Sequence, residues 1–173
     1  VSEDVAAALC ASMPNSRNKI SVLPNPVVSE RIFALAELPA AHPWLTEDVS
    51  DLRNGNAFPI VLGIGRLHPQ KDFTTLIEAF AEAQQLRRAR LIILGEGLER
   101  KKLEEQVAKL GLGNMVSLPG YVENPFPYLK RARVFVLSSL YEGMPNALLQ
   151  AMAFGTPVIA TECNGGARDI LTG

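Results

Sequence analysis

Cysteine is scarce in this chain of 173 residues: Cys10 and Cys163 are the only two, and they lack metal-ligand spacing. So low a count fits a reducing compartment and thiols that are buried or inert. An excess of one charge is missing too, with a formal net charge of −1. No stripe of Lys and Arg interleaves with aromatics, which argues against a nucleic-acid partner. The short basic run 86–90 (LRRAR) reads as the solvated end of a helix. No apolar run approaches the roughly 20 residues of a membrane span, and no signal peptide opens the chain. Histidine is limited to His42 and His68, without a partner carboxylate or metal spacing, so each is expected to be structural or solvated.

What remains is ordinary: 47% hydrophobic and 20% charged residues, enough for one globular domain with a real core. A chain that starts at Val1 and stops at Gly173, soon after a helix start, is expected to be a piece of a larger protein. The first 56 residues are irregular. Ser2, Glu3 and Asp4 can cap a short helix to about Ala11. Lys19–Leu23 reads as a short strand cut off by Pro24-Asn25-Pro26, and 27–56 as a long loop or weak helix.

Residues 57–173 are regular. Pro59–Ile64 is a continuous apolar run of strand length, as expected of a strand buried on both faces. Asp72 caps a helix whose Phe73, Leu76, Ile77 and Phe80 follow i, i+3, i+4, i+7 spacing. Strand 90–94 follows, then a charged helix to about Leu110 with Leu103, Val107 and Leu110 as its apolar stripe, stopped by Gly111 and Gly113. Strand 115–118, a short helix over 125–131, strand 134–138, a helix over 144–154 and strand 157–161 complete the series. Strands alternating with helices through short Gly-containing turns predict a Rossmann-like, doubly wound α/β fold with a parallel sheet.

In such a sheet the C-terminal strand ends feed one crevice, so its candidate lining can be read along the chain. The ends are 63–71 (GIGRLHPQK), 95–97, 119–122, 138–146 and 161–166. The first supplies Gly63, Gly65, Arg66 and Lys71. Two cations beside close-approach glycines are what a diphosphate needs, Arg as a fork and Lys as a point charge; a surface loop with solvated cations is the alternative. His68 breaks the GxGxxG pattern, so a dinucleotide reading is weak. Glu142 stands where a strand gives way to a helix. It could accept hydrogen bonds from sugar hydroxyls, pair with Lys71 or Arg66, or complement the helix dipole. That helix points its first amides at the same spot, with Pro145 in its first turn, and so suits an anion. Gln150 lies eight residues after Glu142, two turns along and nearly on the same face, able to meet a ribose or only solvent.

These residues, in this order, resemble the C-terminal, donor-binding domain of retaining glycosyltransferases with the GT-B fold, the glycosyl transferases group 1 family. The resemblance rests on GIGRLHPQKDFTTLIEAF, on LIILGEGLERKKLEEQVAKLGL, on the long block from VSLPGYVENPF to AMAFGTPVIAT, and on CNGGARDIL. Together they cover most of 60–171; VSEDVAAAL and VLPNPV look like the start of the same domain just after an interdomain linker. The resemblance implies catalysis by Arg66 and Lys71, which would bind the donor diphosphate and offset charge on the departing nucleotide. Glu142 matches the first acid of the E-x7-E motif and would contact the donor sugar. Backbone at Gly143, Met144, Pro145, Asn146 and Leu148 would meet the sugar and phosphates, Gly65 would allow close approach, and Tyr121 and Val122 would lie against the base. No metal and no cofactor are implied beyond the nucleotide-diphosphate sugar, UDP- or GDP-linked, because cationic side chains and the helix dipole stand in for a metal.

The departure is Gln150, where the family's second acid hydrogen-bonds the ribose; Gln keeps an acceptor but loses charge assistance, worth roughly 1 kcal/mol. The acceptor, a glycan or lipid-linked sugar, would be bound by an N-terminal domain missing from this sequence, so the fragment alone is expected to be inactive. The resemblance also implies a cytoplasmic setting, with peripheral membrane association of the full-length enzyme and a role in polysaccharide or lipopolysaccharide synthesis. Two alternatives are a GT-B-type nucleotide-sugar epimerase, which would want other acids and a histidine in the cleft, and a non-catalytic nucleotide-binding module.

Overall fold

The computed structural model describes residues 3–23, 25–45 and 58–172. Helix α1 spans Glu3–Ser12 and is followed by a 3-10 segment, Pro14–Lys19. The expected strand at 19–23 does not form: Ile20 is extended, but nothing in this stretch joins a ladder. The prolines beyond it carry no amide hydrogen to donate to one, and apolar character alone does not pair a strand. Within the stretch read as loop or weak helix, α2 spans Glu30–Ala36 and a single 3-10 turn spans Pro43–Leu45. Residues 46–57, including the domain boundary expected at 56, lie outside the described residues. Ala40 and Leu45 are buried in the same core as the strands that follow, and Asn124 donates to the Leu35 carbonyl at 2.9 Å.

The remaining elements alternate as expected. They are β1 (Ile60–Ile64), α3 (Phe73–Leu86), β2 (Arg90–Leu94), α4 (Arg100–Lys109), β3 (Val116–Gly120), α5 (Phe126–Arg131) and β4 (Val134–Leu137). Then come β5 (Tyr141–Glu142), α6 (Asn146–Ala153), β6 (Val158–Ala160), β7 (Asn164–Gly165) and α7 (Gly166–Thr172). Five strands form one parallel sheet in the order β3-β2-β1-β4-β6. The chain thus winds outward from β1 to one edge, then crosses back to β4 on the other side. The gap between the ends of β1 and β4 is the topological switch point. A two-residue parallel ladder, β5 with β7, was not legible in the sequence.

Alternation along each strand divides the core between the two faces. Leu91 and Ile93 join Leu67, Phe73, Ile77, Phe80, Leu103 and Val107 under α3 and α4. Leu62, Ile92, Leu94, Phe135 and Leu137 face the other way, onto Tyr128 and Leu129 of α5 and Leu148 and Ala151 of α6. Asp72 caps α3 as predicted, accepting from the Thr75 amide at 3.3 Å while holding a left-handed φ of 46°. Leu110 does not belong to the α4 stripe: the helix ends at Lys109, Gly111 turns with φ 68°, and Leu112 takes the buried place instead. Among the described residues, no helix is long and apolar enough to cross a membrane.

His42 is structural, as expected. It is buried at the sheet edge away from the switch point, with Nε2 at 3.0 Å from the Ser117 hydroxyl and its ring against Trp44 and Tyr128. Burial, then the nearby Arg90 charge, hold it below its ordinary value of 6.5. Unfolding therefore takes up a proton as the pH drops below about 6.5. This contribution to stability is fully present above that value and lost as pH falls through the window down to the depressed folded value. Melting curves of wild type and His42→Asn from pH 8 to 5 check it: the wild type loses stability relative to the variant only in the acid window.

Candidate functional site

Five loops leave the C-terminal ends of the parallel strands, and main-chain bonds stitch them into one surface. After β1, Gly65 donates to the Leu94 carbonyl at 3.0 Å and Leu67 to the Glu96 carbonyl at 2.8 Å. After β2, Gly95 donates to the Gly120 carbonyl at 2.8 Å. Gly95 has φ 142°, and a Cβ there would lie 1.8 Å from the Gly65 oxygen, so backbone packs directly on backbone. A cleft of about 500 Å³ opens over these glycines. Gly65 and Arg66, Leu94 and Gly95, and Tyr121 and Val122 line it, one pair from each of three strand ends. Arg66 is exposed, and its guanidinium has no hydrogen-bond or ion-pair partner among the described residues. Tyr121 is 75% exposed, so one ring face is open to a flat ligand.

The neighbouring half of the site is the switch point itself. Lys71, on the loop after β1, and Glu142, on the loop after β4, form an ion pair. Glu142 is 8% exposed, and the same oxygen, Oε1, also accepts the Ser139 hydroxyl at 2.6 Å. The aliphatic stem of Lys71 crosses Gly65 so closely that a Cβ there would meet Lys71 Cε at 3.0 Å. The cleft wall and the ion pair are therefore contiguous. Three further bonds tie the loops: Ser138 Oγ to the Lys71 carbonyl at 2.7 Å, Gln70 Nε2 to the Tyr141 carbonyl at 2.9 Å, and the Leu140 amide to the Gln70 carbonyl at 2.9 Å. Cys163 lies behind the acid. Its thiol is pushed up by burial first and by the Glu142 charge second, which fits an inert group rather than a nucleophile. Glu96 is held by a two-pronged Arg100 fork, at 2.8 and 2.6 Å, which keeps its carboxyl below the ordinary range.

The helix after Glu142 begins later than the spacing predicts. Met144 precedes a proline and is kept out of helical conformation, so Pro145 becomes the cap and α6 starts at Asn146. Glu142 is therefore on a short strand, not on the helix, and Gln150 sits one turn beyond Asn146 rather than two helical turns beyond Glu142. Gln150 is half-buried, without a side-chain hydrogen bond among the described residues. Leu148 is fully buried in the core and its amide donates to the Pro145 carbonyl at 3.0 Å. The first-turn donors left to face a ligand are Asn146 and Ala147. The Gly143 carbonyl accepts from the Gly166 amide at 3.1 Å, while Gly143 and Met144 remain half-buried. Asn25 reaches across the fold to the Asn146 side chain at 3.0 Å, a link across 121 positions that no local pattern announces.

Residues 46–172 match the family model described as glycosyl transferases group 1. The chain belongs to that family. It is 37% identical over 158 residues to an uncharacterized glycosyltransferase of Methanocaldococcus jannaschii, covering 90% of this chain and 37% of that protein. It is 33% identical over 110 residues to the N-acetylgalactosamine-N,N'-diacetylbacillosaminyl-diphospho-undecaprenol 4-alpha-N-acetylgalactosaminyltransferase of Campylobacter jejuni, covering 64% and 30%. Among solved structures, a glycosyltransferase from Rickettsia africae superposes on all of the chain and 46% of its own, with a TM-score of 0.78 at 20% identity. HepE of Anabaena in complex with UDP superposes on 80% of this chain and 38% of its own, with a TM-score of 0.62 at 25% identity. The expected fold is thus the one found, the C-terminal half of a GT-B glycosyltransferase. The chain spans about a third of the length of the curated relatives it matches, 37%, 31% and 30% for three of them.

The Gly95–Gly65 contact makes a stability test. Gly95→Ala must move the backbone carbonyl of Gly65 and adopt a φ that side chains avoid, at a cost of about 3 kcal/mol or more. Gly111→Ala, with a left-handed φ but open space around it, costs about 1 kcal/mol. Urea unfolding of both variants measures the difference.

Proposed function

We propose that this chain is the donor-binding half of a glycosyltransferase, which moves a sugar with retention from a nucleoside-diphosphate sugar to a glycan or lipid-linked acceptor. One observation carries the reading: Lys71 and Glu142 meet at the switch point, beside an open cleft that presents an exposed Arg66, without a partner among the described residues. In this reading Arg66, Lys71 and the first amides of α6 bind the diphosphate together, since cationic side chains and helix N-terminal amides both suit an anion. The apolar cleft beyond Arg66, with Tyr121 and Val122 at its edge, has room for a base. Glu142 then takes the sugar.

In the reaction the bond from the sugar carbon to the diphosphate breaks, and negative charge gathers on the departing phosphate. Arg66 and Lys71 would meet that charge, a cationic environment of the kind that lowers such barriers. Lys71 has three donors on a rotatable ammonium, so it can turn from Glu142 toward the phosphate as the donor arrives. Glu142 is a hydrogen-bond acceptor for a sugar hydroxyl. Cationic side chains and helix amides do the work of a metal in this scheme. The acceptor is bound by the other half of the enzyme, which works at the cytoplasmic face of a membrane. The UDP complex of the Anabaena relative and the undecaprenol-linked acceptor named for the Campylobacter one support this reading. Gln150 in place of an acid favours one rival, a binding module without catalysis.

Calorimetry with UDP, GDP and ADP tests the site. Wild type binds at least one of them, and Arg66→Ala/Lys71→Ala weakens that binding by roughly thirtyfold or more, since two charge-assisted contacts are lost. Equal responses of wild type and double variant to every nucleotide sink the assignment. With the full-length enzyme, sugar transfer survives EDTA; loss of turnover on chelation, restored by magnesium, overturns the metal-free scheme. Gln150→Glu is expected to tighten donor binding by about 1 kcal/mol, read from the same titrations. Donor breakdown or transfer by the full-length protein separates an enzyme from a binding module.

A further inference from the structure

Among the described residues, Glu142 is anchored through one oxygen. Oε1 accepts both the Lys71 ammonium and the Ser139 hydroxyl, and among the described residues no protein donor reaches Oε2. Ser139 is 1% exposed, and its own carbonyl is held by Thr161 Oγ1 at 2.6 Å. Its neighbour Ser138 holds the Lys71 main chain from the other side. A Ser-Ser pair at the end of β4 thus grips both partners of the ion pair, one by backbone and one by side chain.

The two anchors of Glu142 are not equivalent once a donor binds. A diphosphate carries more charge than a carboxylate and competes directly for the Lys71 ammonium. The Ser139 hydroxyl is buried beside a strand end held by Thr161, and among the described residues it donates to Glu142. We propose that Ser139 is a positioning residue for the sugar. Its hydroxyl keeps Glu142 held through Oε1 when the diphosphate draws Lys71 away, leaving Oε2 aimed at a hydroxyl of the donor sugar. The inference rests on the donor-site reading above and deepens it. It makes the discrimination between a nucleotide sugar and the bare nucleoside diphosphate depend on a residue that touches neither.

The experiment compares affinities of UDP and GDP with those of UDP-glucose, UDP-N-acetylglucosamine and GDP-mannose, for wild type, Ser139→Ala and Ser139→Thr. Ser139→Ala is expected to leave the matching nucleoside diphosphate within about twofold and to weaken the sugar nucleotide about tenfold, the size of one hydrogen bond to a charged group. Ser139→Thr keeps the hydroxyl and recovers most of the loss. In a Glu142→Gln background, Ser139→Ala adds little, because the two changes act through one contact. Equal weakening of both ligands, no weakening of either, or full additivity with Glu142→Gln overturns the proposal. Should Ser139→Ala fail to fold, Thr161→Val releases the Ser139 carbonyl instead and gives the same split, smaller in size; equal losses there overturn it too. A wild type that binds no nucleotide at all refutes the donor site itself. Failure of the positioning role alone leaves wild-type binding intact.

Discussion

The pairing of Lys71 with Glu142 is the contact around which the ligand edge of this molecule is organised. It joins loops from β1 and β4, the two strands between which the winding of the sheet reverses. The ammonium and carboxylate are drawn together, and Ser138, Ser139 and Gln70 bind the flanking chain. A largely buried ion pair costs more to desolvate than a surface pair and is only modest evidence of stability. A well-packed apolar pair would hold these loops as firmly. What an apolar pair could not do is exchange partners, and a pair that can open toward an incoming anion is suited to a site rather than to a core.

The two halves of the ligand edge differ in material. Over β1, β2 and β3 main chain packs on main chain, with Gly95 pressed on the Gly65 carbonyl beneath a cleft lined by Ile64, Leu94, Tyr121 and Val122. Over β4 and β6 the edge is built of hydroxyls and a carboxylate, from Ser138, Ser139, Glu142 and Thr161. The first suits a flat group and a phosphate lying close against peptide units; the second suits a ligand rich in hydroxyls. Gly65 belongs to both, because the Lys71 stem can cross it only where no side chain stands.

The fold was largely legible before the structure. Buried parallel strands announce themselves as apolar runs, and Asp72, Phe73, Leu76, Ile77 and Phe80 write out a capped amphipathic helix in one line. That Arg66, Lys71 and Glu142 share one sheet edge was legible because a parallel sheet gathers its strand ends, which is a rule about topology rather than about any residue. The misses share a cause. The stretch at 20–23 joins no sheet among the described residues, Leu110 lost its place to Leu112 beyond a left-handed turn, and α6 waited for Pro145. Each was decided by a neighbour distant in sequence or by the conformation of one residue. Ser139 was missed for the same reason: a serine beside a strand end is unremarkable until the carboxylate three positions on folds back onto it.

The short ladder between β5 and β7 has a mechanical meaning. It is two residues long, yet it binds the stretch carrying Glu142 to Asn164 and Gly165, from which α7 departs at once, and the Gly166 amide closes onto Gly143. The last helix is therefore geared to the acid. A tilt of α7 pulls on the same peptide units that carry Glu142. Whatever packs against α7 therefore holds a lever on the Lys71–Glu142 pair.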